Sequence, residues 1–399
     1  MLITWSMMIM TSVHAPASPR NQQDSLTLPL SHLLEQIETL PDSAGRQAAV
    51  NALIGKLTAR GTPLVHDSTS EFVYTGNARH VALAGDFNGW DPARDSLRRV
   101  PGTSFFHASI QLDTAARCDY KLVVDGVWLL DPMNPRQCMS GFGPNSELRM
   151  PAYRPPRDIT FDPSIQHGTV DTLMLRSRLL ARSHPVYVYL PPSYPSTRKK
   201  LPLVVVTDGG EYLSLGLMNN VLDNLIAARR IQPVIAVFLD PRTDPADRRT
   251  NTRMQDYALR DTFAQSLARE LLPMIRKEYR VSGDAKTTAI MGASLGGLIA
   301  AYAGWSRPDA FGLCAAQSPA FSWNSSQIIN NFAHSARKPL RLYIDTGTLH
   351  DAQVEARQMR DVLVTKNYRF HYAEYPEGHS WGSWRARIAD ILLYFYGMK

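Results

Sequence analysis

Two textures divide the pattern of apolar and polar positions along this chain. From Glu71 to about Met150, stretches such as Phe72-Val73-Tyr74, His80-Val81-Ala82-Leu83-Ala84, 105–110 and Tyr120-Lys121-Leu122-Val123-Val124 are punctuated by Gly, Asn, Asp and Pro. Short strands at that spacing predict a small β-sandwich. Further on, apolar runs at 187–190, 203–206, 234–238, 288–291, 340–344 and 370–373 alternate with helical patterns at 258–278, 297–306, 352–366 and 382–396. A strand with no polar face has to be covered on both sides, so this half predicts a mostly parallel α/β domain. Reactive groups then belong in loops at the carboxyl ends of the strands. The divisions are a signal segment and leader over 1–30, a helical lead-in over 31–65, the sandwich over 66–152, a proline-rich linker over 153–170 and the α/β domain over 171–399.

Composition narrows the class. The 399 residues are 44% hydrophobic and 20% charged, as in a soluble globular protein. The formal charge of +7 suits an acidic partner, but Arg198-Lys199-Lys200 is short and no basic run reads as a nucleic-acid surface. Cys118, Cys138 and Cys314 have neither CxxC nor metal-ligand spacing; Cys118 with Cys138 is the one disulfide to consider if the chain is exported. Residues 2–13 are apolar and Val13-His14-Ala15 offers small residues for cleavage, yet no basic segment precedes them. Two locations follow: periplasmic or secreted with a working signal, cytoplasmic without one. No other apolar run has the length of a membrane span.

The chemistry begins at Gly292-Ala293-Ser294-Leu295-Gly296, between a predicted buried strand and a predicted helix. A G-x-S-x-G turn in that setting bends sharply and lifts the serine hydroxyl to the sheet edge, which makes Ser294 the expected nucleophile. A serine hydroxyl needs a base, an orienting acid and oxyanion donors. His379, in a loop after the strand near 369–374, is the expected base. For the acid, Asp351 follows the strand 340–344, while Glu377 and Asp345 are alternatives, as is a Ser/His dyad; Asp351 also suits a helix N-cap. Leu295 N–H and a Gly209 or Gly210 amide are the expected oxyanion donors. The loop 240–253 brings Arg242, Arg248, Arg249 and Arg253 to the same edge with aspartates among them, either a basic rim for an anionic substrate or a self-neutralised loop.

Taken in order, several motifs resemble the esterase family that includes enterochelin (ferric enterobactin) esterases and esterase D-like hydrolases. They are Arg60-Gly61-Thr62-Pro63-Leu64-Val65, Asp131-Pro132-Met133-Asn134-Pro135, Asp208-Gly209, Glu270-Leu271-Leu272-Pro273, the Ser294 turn with Gly297-Leu298, Ala310-Phe311-Gly312 with Gln317-Ser318, and Gly378-His379-Ser380-Trp381-Gly382-Ser383-Trp384. Arg253 with Asp256 looks like the family's Arg-x-x-Glu feature, with Asp for Glu. The resemblance implies an α/β-hydrolase domain behind an early-set immunoglobulin-like domain, with Ser294 and His379 catalytic and Asp208, Arg253, Trp381 and Trp384 near substrate. It implies a small-molecule ester substrate, either a ferric siderophore trilactone or an acetylated or feruloylated glycan, and no metal or organic cofactor. Ser380 stands where the family often has Asp, and His350 where many relatives carry an acid.

The sandwich has its own likeness. Residues 81–92 and 120–128 look like glycogen-binding domains of branching enzymes and kinase β-subunits, in which the positions of Trp90, Lys121, Trp128 and Asn145 contact glucan. The same side chains also suit a structural role in the sandwich. A glycan-binding protein with an idle hydrolase domain is therefore the alternative from another class.

Overall fold

The structure, a computed structural model, describes residues 30–398. Residues 1–29, to which the sequence assigns most of the export signal and leader, lie outside the described residues.

Helices Leu30–Glu38 and Ser43–Arg60 come first, the second started by Asp42, whose carboxylate accepts the Gly45 N–H at 2.7 Å. Their apolar stripes, including Leu34, Val50, Leu53 and Leu57, close over Val73, Val100 and Phe105. The sandwich that follows has one sheet of Leu64–His66, Thr69–Thr75, Phe105–Gln111 and Arg98–Arg99. The other runs Asp95–Ser96, Val81–Gly85, Arg117–Val124, Gly143–Arg149 and Gln137–Ser140, with Val127–Leu129 paired to Arg117–Val124. Period-two alternation divides Arg117–Val124: Cys118, Tyr120 and Leu122 enter the sandwich core, while Arg117 and Asp119 point out of it and are nevertheless buried. That buried outer face is where the second half of the chain docks. The hairpin Gln137–Ser140 with Gly143–Arg149 has no clear apolar signal in the sequence, because its outward residues are covered by the other half rather than by the sandwich.

The α/β half is built on an eight-stranded sheet in the order Thr169–Ser177, Arg182–Leu190, Ile235–Leu239, Leu203–Val206, Thr288–Ala293, Leu313–Gln317, Arg341–Gly347 and Arg369–Tyr375. The last six are parallel to one another and the first two antiparallel. Leu203 and Val205 feed one apolar layer, Val204 and Val206 the other, which is why the strand reads as an unbroken apolar run. Thr169–Ser177 gives no such signal: it is an edge strand with most side chains exposed, and it starts inside the proline-rich stretch. The single helix expected over 258–278 is broken at Leu259 (φ 58°), leaving Arg253–Tyr257 separate from a helix that resumes at Asp261. Within the latter, Pro273 lacks an N–H and crowds the preceding turn, and the ladder widens to a π turn over Leu267–Leu271. Helix Met218–Ala227 and the segment Trp323–His334, kinked over 324–326 where φ turns positive, add to the cover of the sheet.

All three cysteines are buried free thiols. Cys118 faces the sandwich core and Cys138 faces the other half, where Arg385 Nη2–H donates to its sulfur at 3.2 Å, so the disulfide considered from sequence is not formed. No helix among the described residues is long and apolar enough to cross a membrane.

Candidate active site

Ser294 ends the strand Thr288–Ala293 and starts the helix Leu295–Ser306, with φ 58° and ψ −122°. A positive φ costs a β-carbon residue on the order of 1–3 kcal/mol and persists only where the surroundings fix it. Here they do: Ser294 N–H donates to the Gln317 carbonyl at 2.9 Å, and its own carbonyl accepts the Ala320 N–H at 3.0 Å. Gly292 is dictated by space, since a β-carbon there would stand 2.0 Å from Thr207 Oγ1 and 2.5 Å from the Gly296 backbone. Gly292→Ala is accordingly expected to open the turn, lowering Tm by several degrees and abolishing activity together; a normally stable, active variant by thermal denaturation and ester assay would contradict the packing described.

His379 lies between the strand Arg369–Tyr375 and the helix Trp381–Tyr396, with its side chain 40% exposed. Its Nδ1 is 2.6 Å from Asp351 Oδ1. The other oxygen of Asp351 accepts the Ser318 hydroxyl at 2.6 Å and the Gly347 N–H at 2.6 Å. Burial pushes the Asp351 carboxyl up, but the hydrogen bonds and charge of His379, with those of Ser318 and Gly347, hold it below the usual carboxylate range. Asp351 does not cap the following helix: Ala352 precedes Gln353–Thr365 with no side-chain cap. The structure turns the two alternative acids elsewhere. Glu377 is ion-paired with Arg387, while Asp345 is fully buried beside Gln317, its carboxyl pushed up to about 8 chiefly by burial. Ser294 Oγ makes no hydrogen bond among the described residues, so the hydrogen-bonded part of the site is Asp351–His379.

Asp345 yields a stability prediction. A carboxyl that stays protonated to about pH 8 when folded but ionises near 4 when unfolded loses stability as pH rises between those values. Asp345→Asn, which mimics the protonated form, is expected to raise Tm at pH 8, with the gain shrinking toward pH 5. Thermal melts across that range check it; a Tm loss at pH 8 would contradict it.

The side chains expected near substrate are also engaged within the protein. Asp208 (φ 55°) is 4% exposed and accepts a two-pronged bond from Arg253, Nε at 2.8 Å and Nη2 at 3.0 Å; the same guanidinium donates to the Ala293 carbonyl at 3.1 Å. Arg253 thus ties the Asp208-Gly209-Gly210 loop to the Ser294 turn. Arg242 and Arg249 fork onto Asp240 and Asp247, so three of the four arginines of that loop are neutralised and the basic rim gives way to the self-neutralised loop. Trp384, 9% exposed, sets its ring edge-on to His379 at 4.9 Å and donates to Ser318 Oγ at 3.0 Å. Trp381, 5% exposed, donates to Glu211 at 3.1 Å. The two indoles flank the His379 loop and tie it to Glu211 and Ser318. Ser318 links Trp384 to Asp351; the sequence marks it only as part of the Gln317-Ser318 motif, at the carboxyl end of a buried strand. Leu295, Gly209 and Gly210 stand in the first turns of two helices, where N–H groups have no intrahelical acceptor.

The sandwich reaches the site directly. Arg117, wholly buried, pairs with Asp119 and with Glu147 (2.8 Å), donates its N–H to the Pro376 carbonyl at 3.2 Å and donates Nη1–H to Ser380 Oγ at 3.0 Å. Gly382 makes room for it: a β-carbon there would be 2.0 Å from the guanidinium carbon. Leu349, two residues before Asp351, packs against the sandwich core. Both loops that carry Asp351 and His379 therefore rest on the sandwich. Ser380→Ala is expected to leave the fold intact and lower kcat up to about tenfold, the worth of one hydrogen bond near 1 kcal/mol, with KM little changed. Steady-state kinetics check this, and an unchanged kcat would sever the link.

Of the expected glycan contacts, Trp90 and Trp128 stack with centroids 6.4 Å apart and planes 15° apart, and Trp128 is 46% exposed. Lys121 is half-buried. Asn145 is 8% exposed and donates to Asp119 at 3.2 Å inside the interface, so it is not part of any outer surface with them.

A mostly parallel sheet bearing a strained serine between strand and helix, ahead of a carboxylate-bonded histidine, defines an α/β-hydrolase esterase. Residues 177–395 match the family described as "Putative esterase", more than half of the chain, and the chain belongs to that family. It is 25% identical over 416 residues to the iron(III) enterobactin esterase of Dickeya dadantii (strain 3937), covering 86% of this chain and 92% of the relative. The crystal structure of ferric enterobactin esterase from Salmonella typhimurium superposes with TM-score 0.70 at 20% identity, over 82% of this chain and 93% of that one. A ferulic acid esterase from Anaeromyces mucronatus matches with TM-score 0.50 at 19% identity, over 61% and 96%. The chain is a carboxylic-ester hydrolase.

Proposed function

We propose that the protein hydrolyses the lactone esters of a ferric siderophore of the enterobactin type through an acyl-enzyme on Ser294. The observation that carries the chemistry is the 2.6 Å contact between His379 Nδ1 and Asp351, which commits one ring nitrogen and leaves Nε2 for the serine proton. Ser294 Oγ attacks the ester carbonyl while its proton passes to His379, and Asp351 balances the imidazolium. Leu295 N–H and the Gly209 or Gly210 N–H receive the oxyanion. Collapse of the tetrahedral intermediate expels the alcohol with the proton from His379; water, activated by the same ring, then releases the acid.

The likeness to the Dickeya enterobactin esterase supports the siderophore reading because it runs through the sandwich as well as the catalytic half. The Trp90–Trp128 stack favours a second reading, an ester carried on a glycan. A panel of ferric enterobactin, acetyl-xylan, methyl ferulate and p-nitrophenyl butyrate separates them. The expected result is a kcat/KM for ferric enterobactin at least about 100-fold above the others, a difference near 3 kcal/mol in transition-state binding. Faster turnover of acetyl-xylan or methyl ferulate would overturn the siderophore assignment.

A further inference from the structure

Active-site chemistry occupies the carboxyl ends of the parallel strands; the amino ends of the same strands carry a different feature. Pairing sets Leu313, Arg341 and Arg369 side by side at the starts of three neighbouring strands. Lys286, from the turn before Thr288–Ala293, and Arg337 and Lys338, from the approach to Arg341, join them around a cavity of about 330 Å³. Its lining holds five cations and no carboxylate.

None of the five takes part in an ion pair among the described residues. This departs from the loop 240–253, where Arg242, Arg249 and Arg253 each fork onto an aspartate. Two of the five are also held in place. Arg341 donates Nη2–H to the Phe395 carbonyl at 2.9 Å and lies over the Tyr394 and Phe395 rings, and Arg337 donates to the Asn367 carbonyl at 2.7 Å. The Arg341 Nε–H is buried with no acceptor. Burial, together with the charge of Arg369, pushes the Arg341 guanidinium below its ordinary value. Like charges gathered without counter-charge oppose folding, and a buried donor without a partner costs about 1–3 kcal/mol. Features that violate local rules in this way concentrate at functional sites, and one bound anion would supply the missing counter-charge.

We propose that this cavity is a binding site for a small, multiply charged phosphate anion of the pyrophosphate class, separate from the ester site. Guanidinium forks match phosphate oxygens, and five cations call for more than a single negative charge. The volume lies at the low end of small-ligand sites, roughly 300–1,000 Å³, and the cations converge on a concavity rather than forming the stripe a nucleic acid needs. The seven-residue strand Arg341–Gly347 puts the cavity roughly 20 Å from the catalytic edge.

Calorimetric titration of the full chain with sodium pyrophosphate at low salt and pH 7.5 tests the site, with p-nitrophenyl butyrate hydrolysis followed in parallel. The expected result is one saturable site, weakened by added salt and weakened about tenfold in each of Arg369→Ala and Lys286→Ala, near 1.4 kcal/mol apiece. Ester hydrolysis by both variants should match the parent, because neither side chain is in the catalytic machinery. Three outcomes would overturn the proposal: no saturable heat or Tm shift up to millimolar pyrophosphate, binding unaltered in both variants, or duplex DNA displacing pyrophosphate with several proteins bound per duplex. None of them bears on the siderophore reading, which the ester panel decides.

Discussion

Ser294→Ala is expected to lower kcat by about a million-fold on every ester the protein hydrolyses, the scale on which removal of a serine nucleophile acts in triad enzymes. The residual rate should exceed that in water, because the Leu295 and Gly209 or Gly210 amides remain to bind the oxyanion. The fold should survive: the turn is fixed by the Gln317 and Ala320 main chain, and alanine keeps the β-carbon that packs there. A second variant separates chemistry from strain. Ser294→Gly should be just as inactive, yet more stable than Ser294→Ala by about 1 kcal/mol, because glycine adopts φ 58° without the β-carbon penalty. Equal stabilities by denaturant titration would contradict the strained turn; retained activity would contradict the nucleophile.

Asp351→Asn is the second large effect, an expected loss of about 10,000-fold in kcat with KM nearly unchanged. The carboxylate accepts from His379 Nδ1; an amide in its place holds the ring in the wrong tautomer and cannot balance a positive charge. Three controls make the assignment specific. Glu377→Gln disturbs the pair with Arg387 and should lower stability, not kcat; Asp345→Asn should leave kcat near the parent; Ser318→Ala, which removes one of the Asp351 bonds, should cost far less than Asp351→Asn. The depressed Asp351 carboxyl also contributes stability that is complete above the ordinary carboxylate range and lost as pH falls through its lowered value. Asp351→Asn should therefore flatten the acid limb of the stability profile below about pH 4. A mild kinetic effect from Asp351→Asn, with a severe one from Glu377→Gln or Asp345→Asn, would reassign the acid.

What the sequence made legible was local. Gly292, Ser294 and the flanking strand and helix are contiguous, so the turn could be read from five residues, and the apolar runs at 203–206 and 288–291 declared a covered sheet. His379 was legible for the same reason, as a loop residue at a strand end. The choice among Asp351, Glu377 and Asp345 was not, because it depends on where side chains point across loops: Glu377 is two residues from His379 yet turns to Arg387. Composition left the arginine loop undecided, because bidentate pairs with Asp208, Asp240 and Asp247 cancel a charge that a count of residues leaves standing. The bonds of Trp381 to Glu211 and of Trp384 to Ser318 were not legible either, because they join residues far apart in the chain.

The sandwich was legible as a fold but not as a support for the site. Arg117 sits at an outward position of its strand, where the alternating pattern implies solvent; the catalytic half covers that face, and the charge is compensated by Asp119 and Glu147. Burying a cation is tolerated only with such partners. The consequence is mechanistic: the loops carrying Asp351 and His379 are set against a separate domain, which accounts for the dependence of kcat on Ser380 expected above.

The central claim is a covalent intermediate on Ser294, and intact-protein mass spectrometry after treatment with a fluorophosphonate, followed by peptide mapping, tests it most directly. The account predicts a single adduct on the peptide bearing Ser294, lost in Ser294→Ala and formed far more slowly in Asp351→Asn. An adduct on another residue, or complete inhibition with Ser294 unmodified, would contradict it.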